Sequence, residues 1–238
     1  MEVQVAVAKI NKYATSSSGD TVEVVERPHG GVSAVLADGQ SSGKGAKTVS
    51  TLVVRKVITL LAEGVRDGAA ARAASDSLFT ERNGKVSATL NILSIDYQTR
   101  TLVITRNNPA PAVLVMNDQI KWLDENSIPI GLYRDTRPVI SEIPIQPGIS
   151  AIAFSDGLIH AGDRYGQSLD VATCLNSLIE DADPSPQLIA DSLLEHAMRL
   201  DHQRPIDDVS IMVMSVLKHS GDAVRRMSVR LICRWRTV

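Results

Sequence analysis

The order of hydrophobic patterns along the chain is the feature that most constrains its fold. Short runs with strand-like composition stand at the beginning, in the middle and at the end, and helix-length patterns separate them in pairs. The strand-like runs are 3–9, 21–26, 31–37, 87–96, 101–106, 112–116, 119–123, 139–145, 150–154 and 209–217. The helical runs are 46–63, 67–83, 169–180 and 186–199. This is an α+β order, because a parallel sheet requires regular alternation of strands and helices.

The composition excludes several functional classes. With 238 residues, the chain can bury a substantial core in one large domain or two small ones. Its 44% apolar and 22% charged residues are those of an ordinary soluble globular protein. A net charge of −2 and an aromatic content of 3% give no electrostatic attraction and few stacking platforms for nucleic acid. We therefore expect no nucleic-acid partner.

The cysteines and the apolar runs bear on the compartment. The two cysteines, Cys174 and Cys233, lack metal-ligand spacing and are too few for a disulfide framework. No apolar run approaches the length of a membrane span, and the N-terminus alternates like a strand rather than a signal peptide. The sequence therefore predicts a cytoplasmic protein without a membrane span.

Acidic residues stand beside short turns, each close to an apolar strand-like run. They are Asp20 after Gly19, Asp38 before Gly39, Asp156 before Gly157, and the pair Asp207 and Asp208. An isolated Asp-Gly is most often only a turn. If folding brings these carboxylates together, however, they repel each other unless a cation or a proton neutralises them. Oxygen ligands of this kind suit Mg²⁺ or Mn²⁺, so the set indicates a metal-dependent phosphate-ester hydrolase.

These residues and their neighbours resemble a known family. The chain is similar to the metal-dependent protein phosphatases of the 2C type, and more narrowly to the bacterial branch typified by sporulation stage II protein E and the stress-response phosphatases. The resemblance rests on motifs that occur in the family's order. They are residues 19–20 (Gly-Asp), 37–43 (Ala-Asp-Gly-Gln-Ser-Ser-Gly), 107–111 (Asn-Asn-Pro-Ala-Pro), 147–148 (Pro-Gly), 154–157 (Phe-Ser-Asp-Gly) and 207–210 (Asp-Asp-Val-Ser).

The resemblance implies a fold and a metal centre. The fold is a four-layer α-β-β-α sandwich, in which two antiparallel sheets pack face to face and a helix pair covers each outer side. The centre holds two Mn²⁺ or Mg²⁺ ions, with a third ion as an option, at one end of the sandwich. One metal lowers the pKa of bound water, and two also neutralise the phosphoryl oxygens.

The resemblance also implies a role for each acidic position. Asp38 would bridge the two metals, and the carbonyl of Gly39 would ligate one of them. Asp156 and Asp207 would hold the other, so the catalytic assignment falls on these two residues and Asp38. Asp20 would act directly or through water. Asp208 is an alternative or additional ligand, because a doubled Asp leaves the register open.

Some residues depart from the family's pattern. Relatives often carry a His in the loop after the bridging Asp, but residues 40–44 contain none. The motif at 107–111 lacks the Gly-His that the family often shows, and we interpret it as structural. His160, four residues after Asp156, is interpreted as a surface or hydrogen-bonded residue rather than a ligand. The sequence therefore supports metal ligation more directly than leaving-group protonation.

The expected function is hydrolysis of phosphoserine and phosphothreonine in proteins by a metal-activated water. In this branch the substrate is often a phosphorylated anti-sigma-factor antagonist in a partner-switching pathway. The alternative is a catalytically silent module that keeps the fold and regulates a signalling partner. Hydrolysis of p-nitrophenyl phosphate with Mn²⁺ and with EDTA separates the two hypotheses.

The C-terminal segment differs from the rest of the chain. We predict a phosphatase domain at 1–218 and a basic extension at 219–238. Beyond Asp222 the segment has no acid and five arginines, which are Arg225, Arg226, Arg230, Arg234 and Arg236. It is either a solvated extension or a docking surface for an acidic partner. Its apolar residues Val229, Leu231, Ile232 and Trp235 favour some packing of the segment against another surface.

Overall fold

The strands form two five-stranded antiparallel sheets in a computed structural model that describes residues 1–181, 184–219 and 221–230. Sheet A has the order β1-β10-β9-β6-β7, and sheet B has the order β2-β3-β4-β5-β8. The strands of sheet A are β1 (Glu2–Ile10), β6 (Ala112–Met116), β7 (Gln119–Leu123), β9 (Ile149–Phe154) and β10 (Val209–Leu217). Those of sheet B are β2 (Asp20–Glu26), β3 (Gly31–Gly39), β4 (Ala88–Asp96), β5 (Thr101–Asn107) and β8 (Val139–Pro144).

Helices cover the outer face of each sheet. Helices α1 and α2 contact sheet B, whereas α4 and α5 contact sheet A. A short helix, α3, follows β9 directly, and a single 3₁₀ turn at Asp163–Tyr165 comes after it. The helices are α1 (Gly43–Ala62), α2 (Asp67–Arg82), α3 (Asp156–Ile159), α4 (Val171–Asp181) and α5 (Pro186–Leu200). The predicted α-β-β-α sandwich is therefore confirmed.

Three apolar layers hold these four structural layers together. The layer between the sheets contains Leu36, Leu93 and Met212, and the layer between sheet B and its helices contains Val53 and Leu90. A third lies between sheet A and its helices. Central strands face apolar layers on both sides, so β3 is a continuous buried run from Ser33 to Ala37 rather than an alternating one.

The predicted element order matches the structure closely, with two differences. Helix α1 begins at Gly43, three residues before the predicted start. Its two glycines fall in the first turn, where the backbone N–H groups have no intrahelical partner, so the apolar pattern does not show this turn. Helix α3 was not predicted, since its four residues are too few to show a helical period. Both differences lie beside the acidic motifs.

The C-terminal segment is exposed where the structure describes it. Arg225 forms an ion pair of 3.1 Å with Glu26, and both side chains are well exposed. Val229, which was expected to take part in packing, is 76% exposed. Leu231, Ile232 and Trp235, as well as Cys233, lie outside the described residues. In the described part of the chain no helix is long and apolar enough to cross a membrane.

Candidate metal centre

Asp20 and Asp38 are brought together by the register of two neighbouring strands. Asp20 begins β2, Asp38 lies near the end of β3, and the two residues are directly opposite each other in the antiparallel ladder. Each continues the side of its strand that faces the layer between the sheets, as Val22 and Leu36 do. The two carboxyl groups therefore lie between the sheets at one end of the sandwich.

Gly39 fixes the approach of β3 to helix α1. A Cβ atom on Gly39 would lie 2.1 Å from the carbonyl oxygen of Ala46, so a residue with a side chain cannot occupy this position without a backbone shift. This explains why a glycine follows Asp38. The contact sets the distance between the end of β3 and the first turns of α1.

Asp156 is positioned by hydrogen bonds of the residue before it. The hydroxyl of Ser155 donates to the carbonyl of Asp208 at 3.2 Å and accepts from the N–H of Ser210 at 3.0 Å. A Cβ on Gly157 would lie 2.1 Å from the same Asp208 carbonyl, so the start of α3 also requires a glycine. These contacts join the end of β9 to the start of β10.

The motif at 107–111 supports this junction. Asn108 donates from its side chain to the carbonyl of Phe154 at 3.1 Å and accepts from the N–H of Ala110 at 3.0 Å. Asn107 is also buried and donates to the carbonyl of Ile128 at 3.2 Å. The interpretation of this motif as structural is confirmed.

The doubled aspartate divides into two different environments. The carboxylate of Asp208 is buried, and it accepts from the N–H groups of Lys12 at 2.8 Å and Gly19 at 2.7 Å. Asp207 is half-buried, and its carboxylate accepts only the N–H of Asp208, at 2.9 Å, among the described residues. Asp208 therefore holds the segment before β2 against the start of β10, whereas Asp207 remains available to a ligand.

Two lysines meet at the backbone of Asp20, and the sequence analysis missed both. Lys9 on β1 and Lys47 on α1 donate to the Asp20 carbonyl at 2.6 Å and 2.8 Å, respectively. Lys9 lies on the side of β1 that Val5 and Val7 present to the layer between the sheets. A lysine that continues an apolar alternation was the signal that could have identified it.

The carboxyl groups influence one another electrostatically. The pKa of Asp38 is raised to about 10, first by burial, next by the charge of Asp20, and then by the charges of Asp156 and Asp207. Burial also raises the pKa of Asp20 and of Asp207. Burial lowers the pKa of Lys9 and of Lys47. The site is thus a buried acidic cluster with two amino groups behind it.

The donor set fits a hard divalent cation. Both carboxylate oxygens of Asp20 are buried and have no hydrogen-bond partner among the described residues, which is costly for a polar group unless something else binds it. Within the same residues, no group of three or more His, Cys, Asp or Glu side chains is already placed to hold a metal ion. The carboxyl oxygens are therefore the right kind of ligand, arranged around a common end of the sandwich.

The predicted acidic residues thus lie at one end of the sandwich, whereas His160 does not take part in the site. Asp20, Asp38, Asp156 and Asp207 face one end of the sandwich, with Asp208 bound behind them. His160 is exposed and contacts Asp163 at 2.9 Å, which confirms its interpretation as a surface residue.

Comparisons with known proteins agree with the fold. Residues 28–217 match the model of the Stage II sporulation protein E (SpoIIE) family, and this chain belongs to that family. It is 22% identical over 201 residues to Stage II sporulation protein E of Bacillus subtilis (strain 168). That match covers 84% of this chain but only 24% of the relative's length. The resemblance inferred from the sequence is confirmed.

Two solved structures share the architecture. The first contains the PP2C phosphatase domain and a fragment of the regulatory domain of SpoIIE from Bacillus subtilis, with a TM-score of 0.76 and 21% identity over 91% of this chain and 64% of that one. The second is the catalytic domain of the serine/threonine phosphatase PstP in complex with two manganese ions. It has a TM-score of 0.71 and 16% identity, and the match covers 91% of this chain and 99% of that one. At these identities the likeness shows the PP2C phosphatase fold.

Proposed function

We propose that the chain is a metal-dependent phosphatase that hydrolyses phosphoserine and phosphothreonine in a protein substrate. The convergence of Asp20, Asp38, Asp156 and Asp207 carries this proposal. They come from both sheets and from separate parts of the chain, and Asp20 has no internal hydrogen-bond partner for its carboxylate among the described residues. Such a cluster is stabilised by divalent cations.

The proposed ligands divide between two Mn²⁺ or Mg²⁺ ions. Asp38 would contact both, together with the backbone carbonyl of Gly39, while Asp156 and Asp207 would hold the second ion. Asp20 would bind directly or through water. When bound, such ions lower the pKa of water and neutralise phosphoryl oxygens. We assign Asp208 a positioning role, because two backbone N–H groups already bind its carboxylate.

Residues of the chain itself hold the acidic groups in position. Lys9 and Lys47 hold the Asp20 backbone, and Ser155 joins the strand ends that carry Asp156 and Asp207. The acidic groups therefore keep their positions when a phosphoryl group enters, so little reorganisation is needed during the reaction. No acidic or nucleophilic side chain needs to form a covalent bond to phosphorus in this scheme.

The family resemblance supports a proposal for the physiological setting. We propose a cytoplasmic role in partner-switching signalling, with a phosphorylated anti-sigma-factor antagonist as the substrate. The phosphatase domain is proposed to span residues 1–218, and residues 219–238 to form a basic extension. The exposure of the described residues of the extension and the end of β10 at Leu217 support this division.

The test is hydrolysis of p-nitrophenyl phosphate and of a phosphoserine peptide by the full chain with Mn²⁺, with Mg²⁺ and with EDTA. We expect hydrolysis of both substrates with metal and none with EDTA. Metal binding measured by calorimetry provides a second readout, and Asp38→Asn should weaken it. A chain that binds neither metal and hydrolyses neither substrate would instead support the silent binding module.

A further inference from the structure

A groove runs along the outer face of helix α1, away from the layer between the sheets. Its volume is about 780 Å³, and α1 supplies most of its lining, with Ser77 and Glu81 of α2 on the other side. Among the α1 residues, Arg55, Lys56 and Thr59 are exposed and Lys47 is half-buried. We call this feature the α1 groove.

The α1 groove is positively charged although the chain as a whole is not. Lys47, Arg55 and Lys56 line it with a single acid, Glu81. The Glu81 carboxylate accepts a hydrogen bond from the Ser77 hydroxyl at 3.1 Å. In the described part of the chain, neither Arg55 nor Lys56 forms a salt bridge. A protein of net charge −2 therefore presents a local cationic surface on which Arg55 and Lys56 have no salt-bridge partner among the described residues.

Lys47 joins the α1 groove to the proposed metal centre. Lys47 lines the groove, and its amino group also donates to the carbonyl of Asp20 at 2.8 Å. Asp20 lies opposite Asp38 in the ladder of β2 and β3. The first turns of α1 therefore lie beside the proposed metal centre, and the groove extends away from it along the same helix.

The dimensions of the groove suit a short peptide segment. The lining residues of α1 extend from Lys47 to Thr59, and a helix rises about 1.5 Å per residue, so the groove is roughly 18 Å long. An extended peptide advances about 3.3 Å per residue and would place about five residues along this length. The low aromatic and high hydroxyl content of the lining favours a polar occupant over an apolar helix.

We propose that the α1 groove binds an acidic segment that flanks the phosphorylated residue of the protein substrate. The proposal rests on the proposed function, because a phosphoprotein substrate brings the flanking segment to the groove. The cations of Arg55 and Lys56 attract its carboxylates, and the threonine hydroxyls of α1 provide polar contacts. The groove thereby selects among phosphoproteins by the sequence around the phosphate, while the metal centre acts on any phosphate that reaches it.

The test uses two phosphoserine peptides of equal length, one flanked by five glutamates and the other by five glutamines. Each peptide is made in two forms, one with the flank before the phosphoserine and one with the flank after it. With Mn²⁺ and low salt, we expect the wild-type chain to prefer a glutamate peptide by about tenfold in kcat/KM. Added salt should reduce the preference, because exposed charges are screened.

The variant Arg55→Glu together with Lys56→Glu should remove the preference and leave hydrolysis of p-nitrophenyl phosphate unchanged. The matched control is Arg100→Glu with Lys121→Glu, which makes the same change of charge at two exposed positions outside the groove, one in the turn between β4 and β5 and the other in β7. It should retain the preference. Equal rates for the two flanks in the wild type, or an unchanged preference in the groove variant, would overturn the proposal.

Binding separates a failure of this proposal from a failure of the proposed function. Fluorescence anisotropy of labelled peptides reports on the groove without any turnover. If no phosphate ester is hydrolysed but the glutamate peptide binds and the groove variant does not bind it, the groove proposal stands and the catalytic one fails. If p-nitrophenyl phosphate is hydrolysed and the glutamate peptide binds no better than the glutamine peptide, the catalytic proposal stands and the groove proposal fails.

Discussion

Asp20 and Asp38 are direct partners across the ladder of β2 and β3, so the backbone pairing itself holds two carboxyl groups side by side. Their closeness is not an adjustable property of side-chain rotamers. Any chain that forms this register must neutralise one of the two charges. In the metal-free protein, a proton on Asp38 does so, as the raised pKa of that residue indicates.

The first prediction concerns Asp38→Asn. It should reduce turnover of p-nitrophenyl phosphate by about 100-fold or more, because the proposed bridging carboxylate is lost. In EDTA, the same variant should melt at a higher temperature than the wild type at pH 8, because a neutral amide is buried without taking up a proton, whereas Asp38 must be protonated well above its ordinary pKa. The exposed change Asp118→Asn is the control and should alter neither property.

The stabilisation by Asp38→Asn should depend on pH with a defined sign. The pKa of Asp38 rises from an ordinary value of 3.8 to about 10 on folding, so the folded protein binds more protons than the unfolded one between these values. The stability of the wild type in EDTA therefore falls as pH rises from about 4 towards 10. The difference in melting temperature between variant and wild type should be large at pH 8 and small at pH 5. A difference that grew at low pH would contradict the assignment.

The second prediction separates the doubled aspartate. Asp207→Asn should weaken Mn²⁺ binding and activity, with partial recovery at raised Mn²⁺, and should not lower the melting temperature in EDTA. Asp208→Ala should destabilise the fold by roughly 2–4 kcal/mol, because two buried N–H groups lose a charged acceptor. Calorimetric titration with Mn²⁺ and thermal melting of both variants measure these effects. Equal destabilisation by both substitutions would show that the two carboxylates do not have separate roles.

The third prediction tests the close approach at Gly39. Gly39→Ala should destabilise the protein by about 1–3 kcal/mol, because its Cβ would meet a backbone oxygen at 2.1 Å. Gly45→Ala is the matched control, since nothing lies within 4 Å of a Cβ there and the residue is helical. It should stabilise the protein by up to about 1 kcal/mol. Chemical denaturation of both variants gives the comparison.

The fourth prediction concerns the basic extension. A chain that ends after Leu217 keeps every proposed ligand and should hydrolyse p-nitrophenyl phosphate at the rate of the full chain. Its melting temperature should change little, because residues 221–230 are exposed and the ion pair of Arg225 with Glu26 is accessible to water. A marked fall in melting temperature would assign a packing role to residues 231–238, which include Trp235.

Much of the fold could be predicted because hydrophobic periods are local. The alternation of β1 and the spacing of Val49, Val53 and Val57 in α1 depend only on which face each residue presents. The types of ligand were also readable, since an Asp next to a Gly at the end of a strand keeps its identity in any register.

The remaining features depend on contacts between distant residues. Nothing near Asp208 in the sequence shows that the N–H groups of Lys12 and Gly19 bind it, because they are 196 and 189 residues away. The lysines on the Asp20 carbonyl come from β1 and α1, and their meeting requires both sheets and a helix to be in place. Sequence patterns predict which residues are available, whereas the tertiary fold decides which of two adjacent carboxylates is free.

The pairing of β1 with β10 has a consequence for folding during translation. On the ribosome, the partner of β1 in the sheet and the carboxylate that binds Lys12 and Gly19 are translated more than 190 residues after β1 itself. The nascent chain therefore cannot complete its carboxyl cluster while residues 207–217 are still missing. A nascent chain that has not reached β10 therefore lacks part of the proposed metal centre, and any activity of that centre must wait for the last strand of sheet A.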